Sequence, residues 1–96
     1  MKYLGSLRGE GELSTDAEHG PSLLGEVTYE IEGYDDRSRR SAAGRVEGDA
    51  RTLTRAYAAT HVHLRLADHP ASIEVVLSDP KGGTSAEVTV AGQFPL

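Results

Sequence analysis

Apolar and polar residues alternate at every second position through most of this chain, which restricts it to a fold built from half-buried β-strands. The pattern is clearest in 61–66, where Val62, Leu64 and Leu66 are separated by polar residues. It recurs in 72–78 and 86–90, and each break between these segments contains a proline. Because proline cannot donate a hydrogen bond to a sheet, the breaks are interpreted as turns. These segments predict a three-stranded antiparallel meander.

The pairing register of this meander follows from the need for the apolar faces to meet. A four-residue loop at 68–71 then sets the alignment of the first hairpin, and the same reasoning applies to the second. The predicted pairs are Arg65 with Glu74, His63 with Val76, His61 with Ser78, Leu77 with Ala86, and Val75 with Val88.

The first half of the chain alternates in 3–14, 27–33 and 42–48, with glycine recurring on the face that should point inward. Glycine weakens a strand, so its recurrence indicates tight bends or close backbone approach, as in a small, strongly coiled barrel. The alternative is that these strands lie at sheet edges and pack poorly. The inward glycines are Gly5, Gly9, Gly11, Gly33, Gly44 and Gly48.

Residues 50–59 break the alternation and place Leu53, Ala56 and Tyr57 on one helical face, with Asp49 as a candidate cap. They predict a short helix at 50–58 that plugs one end of a barrel, with an irregular loop as the alternative. Residues 14–22 and 35–41 are polar and are interpreted as loops. The predicted fold is therefore all-β: one domain over residues 1–96, a small antiparallel barrel or sandwich of about six strands. Tyr29 and Phe94 fit core positions.

Composition excludes several classes of site. Cysteine is absent, so the chain has no disulfides, thiolate nucleophiles or sulfur-ligated zinc. No apolar stretch approaches the roughly 18 residues of a membrane span, and a cytoplasmic location is expected. Leu, Val, Ile and Phe together number only 20 of the 96 residues. The core should be thin, and self-association would add burial.

Charge is segregated along the sequence. Residues 9–36 hold nine acids and no Lys or Arg, whereas 37–55 hold six arginines and two acids. Complementary segments of this kind predict pairing, either within one chain or across a homo-oligomer or other protein partner. The alternative is a small-anion site, with Arg45, Arg51, Arg55 and Tyr57 as contacts. A net charge of −5 and few aromatic residues argue against nucleic acid as a ligand.

His61 and His63 share one face of a predicted strand and together can hold a divalent metal. A third ligand would come from Asp68, His69 or Glu74. The predicted register argues against this site, because it places Val76 and Ser78 opposite the two histidines. Two solvent-facing histidines are the alternative interpretation.

No catalytic motif stands out elsewhere. Glu30 and Glu32 share a polar strand face and are interpreted as solvated charges, and the sequence contains neither a Gly-x-Ser-x-Gly elbow nor a phosphate loop. No cofactor is predicted. The leading hypothesis is a non-enzymatic binding or protein-interaction module that acts as a homo-oligomer. The alternatives are a small-anion carrier using Arg45, Arg51 or Arg55, and a metal-dependent enzyme using His61 and His63.

Overall fold

A computed structural model describes residues 2–17, 20–36, 39–59, 61–67 and 72–91. They form a closed antiparallel barrel in the order β1-β2-β3-β6-β5-β4, in which β4 pairs back onto β1. The predicted all-β fold with a short helix is confirmed, and its form is a barrel rather than a sandwich. The elements are β1 (Lys2–Ala17), β2 (Gly20–Asp36), β3 (Arg39–Gly48), α1 (Ala50–Ala58), β4 (Val62–Leu66), β5 (Ser72–Leu77) and β6 (Ser85–Val90).

The alternating apolar residues fill the barrel interior. Tyr29 is buried among them, as predicted, whereas Phe94 lies outside the described residues. Removal of these side chains from water is the main source of stability. The largest fully buried side chains are Leu13, Ile31, Val46, Leu53, Leu64, Leu66 and Val88.

The meander of β4, β5 and β6 is present, but its predicted register is wrong by two residues in both hairpins. A shift of two residues leaves the same side chains on the inner face, so alternation alone cannot distinguish the two alignments. The predicted pairs of Arg65 with Glu74, His63 with Val76, Leu77 with Ala86 and Val75 with Val88 are all replaced, and the predicted pair of His61 with Ser78 does not fit the new alignment. The observed pairs are Arg65 with Ser72, His63 with Glu74, Leu77 with Val88, and Val75 with Val90.

The two predicted polar loops are mostly strand. Pairing of β1 with β2 continues through Ser14 and Leu23 to Ala17 and Gly20, and pairing of β2 with β3 continues to Asp36 and Arg39. A ladder is built from backbone groups, so polar side chains on the outer face do not end it. Residues 18–19 and 37–38, which join these strands, lie outside the described residues.

Helix α1 lies across one end of the barrel, in contact with β1, β2, β5 and β6. Its buried residues are Thr52, Leu53 and Ala56. The Thr52 hydroxyl donates a hydrogen bond to the Leu24 carbonyl at 3.4 Å. Asp49 occupies the cap position without a side-chain hydrogen bond, and its carbonyl accepts the N–H of Leu53 at 3.1 Å.

Glycine permits close backbone approach inside the barrel, as predicted. A Cβ at Gly11 would lie 2.6 Å from the carbonyl oxygen of Arg65. A different role belongs to Gly5, where φ is 127° and the β1–β2 register shifts. The shift places Tyr3 opposite Tyr34 on the outer face, so Tyr3 does not share the inner face of Leu7 as simple alternation predicts.

Candidate functional site

β1 is much longer than the strand that closes the barrel against it. β4 has five residues, whereas β1 has 16, and their pairing covers only Gly11–Thr15 of β1. One further hydrogen bond runs from the Ala67 N–H to the Glu10 carbonyl at 3.0 Å. Over 2–9, β1 pairs with β2 on one side, and no strand among the described residues pairs with it on the other. We call residues 2–9 the free edge of β1.

The backbone direction along the free edge follows from the bond at Glu10. In an antiparallel strand the N–H and C=O of one residue point to the same side, and successive residues alternate. The β1–β2 register is continuous from Gly5 to Leu13, so this alternation is unbroken there. Ser6 and Arg8 therefore direct their backbone N–H and C=O groups the same way as Glu10, toward the open side.

The side chains around the free edge are polar on the outer face and apolar on the inner face. Arg8 donates to a Glu30 carboxylate oxygen at 2.8 Å, an exposed ion pair across β1 and β2. Leu7 lies on the inner face, partly buried against the core. Both faces at this edge thus match those of an ordinary strand, and only the lateral partner is missing among the described residues.

At the end of the free edge, the rings of Tyr3 and Tyr34 pack with centroids 5.5 Å apart. The Tyr34 hydroxyl donates to a Glu32 carboxylate oxygen at 2.9 Å. That hydrogen bond, together with repulsion between the phenolate and the carboxylate, raises the pKa of Tyr34 above its ordinary value.

The acidic and basic segments meet within one chain, because β2 pairs with β3. The register places Glu30 opposite Arg45, Asp35 opposite Arg40, and Asp36 opposite Arg39. At these positions the acidic and basic segments therefore lie opposite each other within one chain, which is one of the two arrangements predicted from sequence.

The arginines predicted to bind an anion lie on two different elements. Arg45 lies on the outer wall of the barrel, opposite Glu30 and Glu87 in the sheet, with its Nε 3.9 Å from Glu47. Grooves of about 130 and 270 Å³ lined by Arg45 are also lined by Glu30. Carboxylates around Arg45 disfavour an anion there. Arg51, Arg55 and Tyr57 are exposed on α1, and their anion site stays a prediction.

The two histidines contact different carboxylates on the outer face. His61 Nδ1 lies 3.2 Å from Glu74 Oε1, and His63 Nε2 lies 3.4 Å from Asp16 Oδ1. The predicted register argued against a metal site because it placed Val76 opposite His63. The observed register places Glu74 there instead, so that objection no longer applies. The described part of the chain nevertheless contains no cluster of three or more side chains placed to hold a metal ion. Asp68 and His69 lie outside that part, so the metal site stays a prediction.

A groove of about 590 Å³ crosses the outer face of β4, β1, β2 and β3. Its walls carry four glutamates and Arg65, a balance that favours cationic groups over anions. Sequence reasoning missed this convergence because it depends on the registers of three strand pairs. The four glutamates are Glu10, Glu12, Glu26 and Glu47.

Sequence reasoning also missed the free edge of β1, although a signal for it exists. The first alternating segment, 3–14, is about twice as long as the segments of the later meander. A long strand beside a short one must project beyond it, since residues in paired strands advance at the same rise.

Comparison of the chain with protein-family models, curated proteins and solved structures found no match. Among the described residues, no helix has the length and apolar character needed to cross a membrane.

Proposed function

We propose that this chain is a non-enzymatic protein-interaction module that acts as a homo-oligomer. The observation that carries the proposal is the free edge of β1, where Ser6 and Arg8 direct backbone donors and acceptors to a side with no strand partner among the described residues. An unpaired edge is a template for the addition of another strand, because the main-chain hydrogen bonds are already aligned.

The thin core supports the same proposal. Large aliphatic residues and Phe make up about a fifth of the chain, and a domain this small buries a modest part of its surface. Lateral pairing at the free edge would bury further surface around Leu7. A cytoplasmic location and a single domain over residues 1–96 remain predictions alongside this function.

A non-enzymatic role is favoured by how the outer polar side chains are arranged. His61, His63 and Arg8 each contact one carboxylate, from Glu74, Asp16 and Glu30 respectively. Most of these side chains are well exposed, and catalytic pairs usually need contrasting, partly desolvated environments to separate their pKa values. Exposed polar contacts of this kind are ordinary features of an outer sheet face.

Light scattering after size exclusion, over a range of protein concentrations, tests the proposal. The expected mass at high concentration is twice that of the 10.2 kDa chain. The Ser6→Pro variant removes an N–H that faces the open side and leaves the β1–β2 ladder intact, so it should be monomeric. Ser6→Ala keeps the N–H and should remain associated. A wild-type chain that is monomeric at every concentration would overturn the proposal.

A further inference from the structure

We infer that the outer face of β1 and β2, beside the free edge, binds a methylated ammonium cation, with Glu32 next to its charge and the rings of Tyr3 and Tyr34 against its methyl groups. The inference goes beyond the proposed function, because it assigns a ligand to the outer face of the sheet rather than a strand to its edge. It holds whether or not the chain associates.

Glu32 and Glu30 lie two residues apart on the outer face of β2, but their neighbours in the sheet differ. Glu30 lies between arginines on both neighbouring strands. Glu32 lies between Ser6 of β1 and Ala43 of β3, which carry no charge. Both of these small side chains are exposed, so they leave the Glu32 carboxylate open to a group from solvent. The sheet offsets the charge of Glu30 directly, whereas the charge of Glu32 is left to attract a cation.

Two tyrosine rings lie beside this carboxylate. Tyr34 is the next outward-facing residue of β2, and its hydroxyl donates to Glu32 Oε2 at 2.9 Å. This bond holds the ring and the carboxylate together, so a cation in contact with Glu32 can lie within the roughly 6 Å of the ring centroid over which cation–π attraction acts. Tyr3 adds a second ring, inclined at 58° to the first and 54% exposed. The carboxylate and the ring faces thus attract the same kind of charge.

A groove of about 270 Å³ next to this site crosses the outer face of β2, β3 and β6, and Glu32 is part of its lining. Ala43 and Gly44 also line it, and they fill little of the space. Its charged lining residues are three glutamates and one arginine, an excess of negative charge that favours a cation. The groove gives the remainder of a larger ligand room to extend away from the two rings.

The hydrogen bond from Tyr34 determines which cation fits. One oxygen of Glu32 already accepts the Tyr34 hydroxyl, so the carboxylate does not offer two free oxygens to the parallel donors of a guanidinium group. A primary ammonium has three N–H donors that need acceptors, and ring faces are only weak ones. A fully methylated ammonium has no N–H donor to satisfy, and aromatic faces bind such groups well.

Choline and ethanolamine are matched probes, because both are cations at neutral pH and they differ only in the three methyl groups on nitrogen. In NMR titrations, choline should shift the resonances of Tyr3, Glu32 and Tyr34 but not those of Tyr57 on helix α1. Choline should also bind about fivefold more tightly than ethanolamine. No shift at about 50 mM choline, or ethanolamine binding as tightly as choline, would overturn the inference.

Single substitutions separate the ring and the charge. Tyr3→Leu removes one ring but keeps an apolar side chain, so the affinity for choline should fall about two- to fivefold. Glu32→Gln removes the charge and should weaken binding by up to about fivefold. Glu74→Gln is the matched control, since it makes the same change of charge on β5, three strands from β2 in either direction around the barrel. Equal loss of choline binding in Glu74→Gln and Glu32→Gln would overturn the site, because net charge would then explain the binding.

Tyr34→Phe tests the argument for methylated cations. It keeps a ring but frees the second oxygen of Glu32, so the preference for choline over ethanolamine should narrow. An unchanged preference would contradict the role given to the Tyr34 hydroxyl. Light scattering on the same samples keeps the two proposals apart, since a strict monomer that binds choline would overturn the proposed function and leave this inference standing.

Discussion

A Cβ atom at Gly44 would overlap the backbone carbonyl oxygen of Glu30. The Cα of Ile31 is 2.7 Å from the same position. Both contacts are with backbone, which cannot rotate away as a flexible side chain can. The close approach of β2 and β3 therefore depends on the absence of a side chain at this position.

Gly44→Ala should accordingly destabilise the barrel, by about 1–3 kcal/mol, which is typical of overpacking. Urea denaturation followed by circular dichroism measures the change. Ala43→Ser alters the neighbouring exposed residue and should change the free energy of unfolding by less than about 0.5 kcal/mol. Equal stability of the Gly44→Ala variant and the original chain would contradict the packing described for β2 and β3.

The contribution of helix α1 to stability can be measured at Leu53, a residue of the helix that is fully buried. Leu53→Ala removes core contacts and leaves a cavity, so the free energy of unfolding should fall by about 2–5 kcal/mol. Thr54→Ala on the exposed side of the same helix is the matched control and should have little effect. If both variants unfolded at the same urea concentration, the helix would contribute little to closing the barrel.

Tyr34 should ionise at a higher pH than the ordinary phenol value of 10.0, because its hydroxyl donates to the Glu32 carboxylate and its phenolate would be repelled by that charge. The ultraviolet titration of the original chain minus that of Tyr34→Phe isolates this group. Glu32→Gln removes the charge and should lower the pKa of Tyr34. A raised pKa in the folded state stabilises the fold below pH 10, and this contribution is lost as pH rises through the folded-state pKa. No change in the Tyr34 titration in Glu32→Gln would refute the assignment.

Alternation in the sequence predicted the number of strands and most of the inner residues, and the break in alternation at 50–59 predicted the short helix; the inward position of Tyr3 and the loops at 14–22 and 35–41 were wrong. Period two assigns each side chain to a face, but it cannot separate registers that differ by two residues. Turn geometry sets that choice, and residues 68–71 carry no turn signature specific enough to fix it. For this reason the sequence paired Glu74 with Arg65, whereas the structure pairs it with His63.

The free edge of β1 was not predicted, for a different reason. Each strand can be predicted locally, whereas an unpaired edge is a property of two strands whose lengths differ. The charge segregation allowed pairing within one chain or between chains. The register of β2 with β3 places acidic and basic residues opposite each other within one chain, and pairing between chains stays a prediction. Sequence reasoning thus identified Arg45 as a notable residue, but not its position among Glu30, Glu47 and Glu87.

The corrected register of β4 and β5 can be tested directly with paired cysteines. The Ala91 N–H donates to the Glu74 carbonyl, so even-numbered residues of β5 direct their backbone groups toward β6. Arg65 and Ser72 therefore form a non-hydrogen-bonded pair, with Cα atoms about 4.5 Å apart. The double variant Arg65→Cys, Ser72→Cys should form an intrachain disulfide readily in dilute solution. Mass spectrometry after mild oxidation detects it as a loss of two hydrogens.

The matched control joins the pair that the sequence alone predicted. In Arg65→Cys, Glu74→Cys the two positions are diagonal neighbours, with Cα atoms about 7–8 Å apart, beyond the usual disulfide range. This variant should oxidise slowly within the chain, although its side chains are similarly placed on the outer face. Preferential closure of the Arg65–Glu74 pair would reverse the assignment. It would place His63 opposite Val76, and the contact between His61 and Glu74 would have to be abandoned with it.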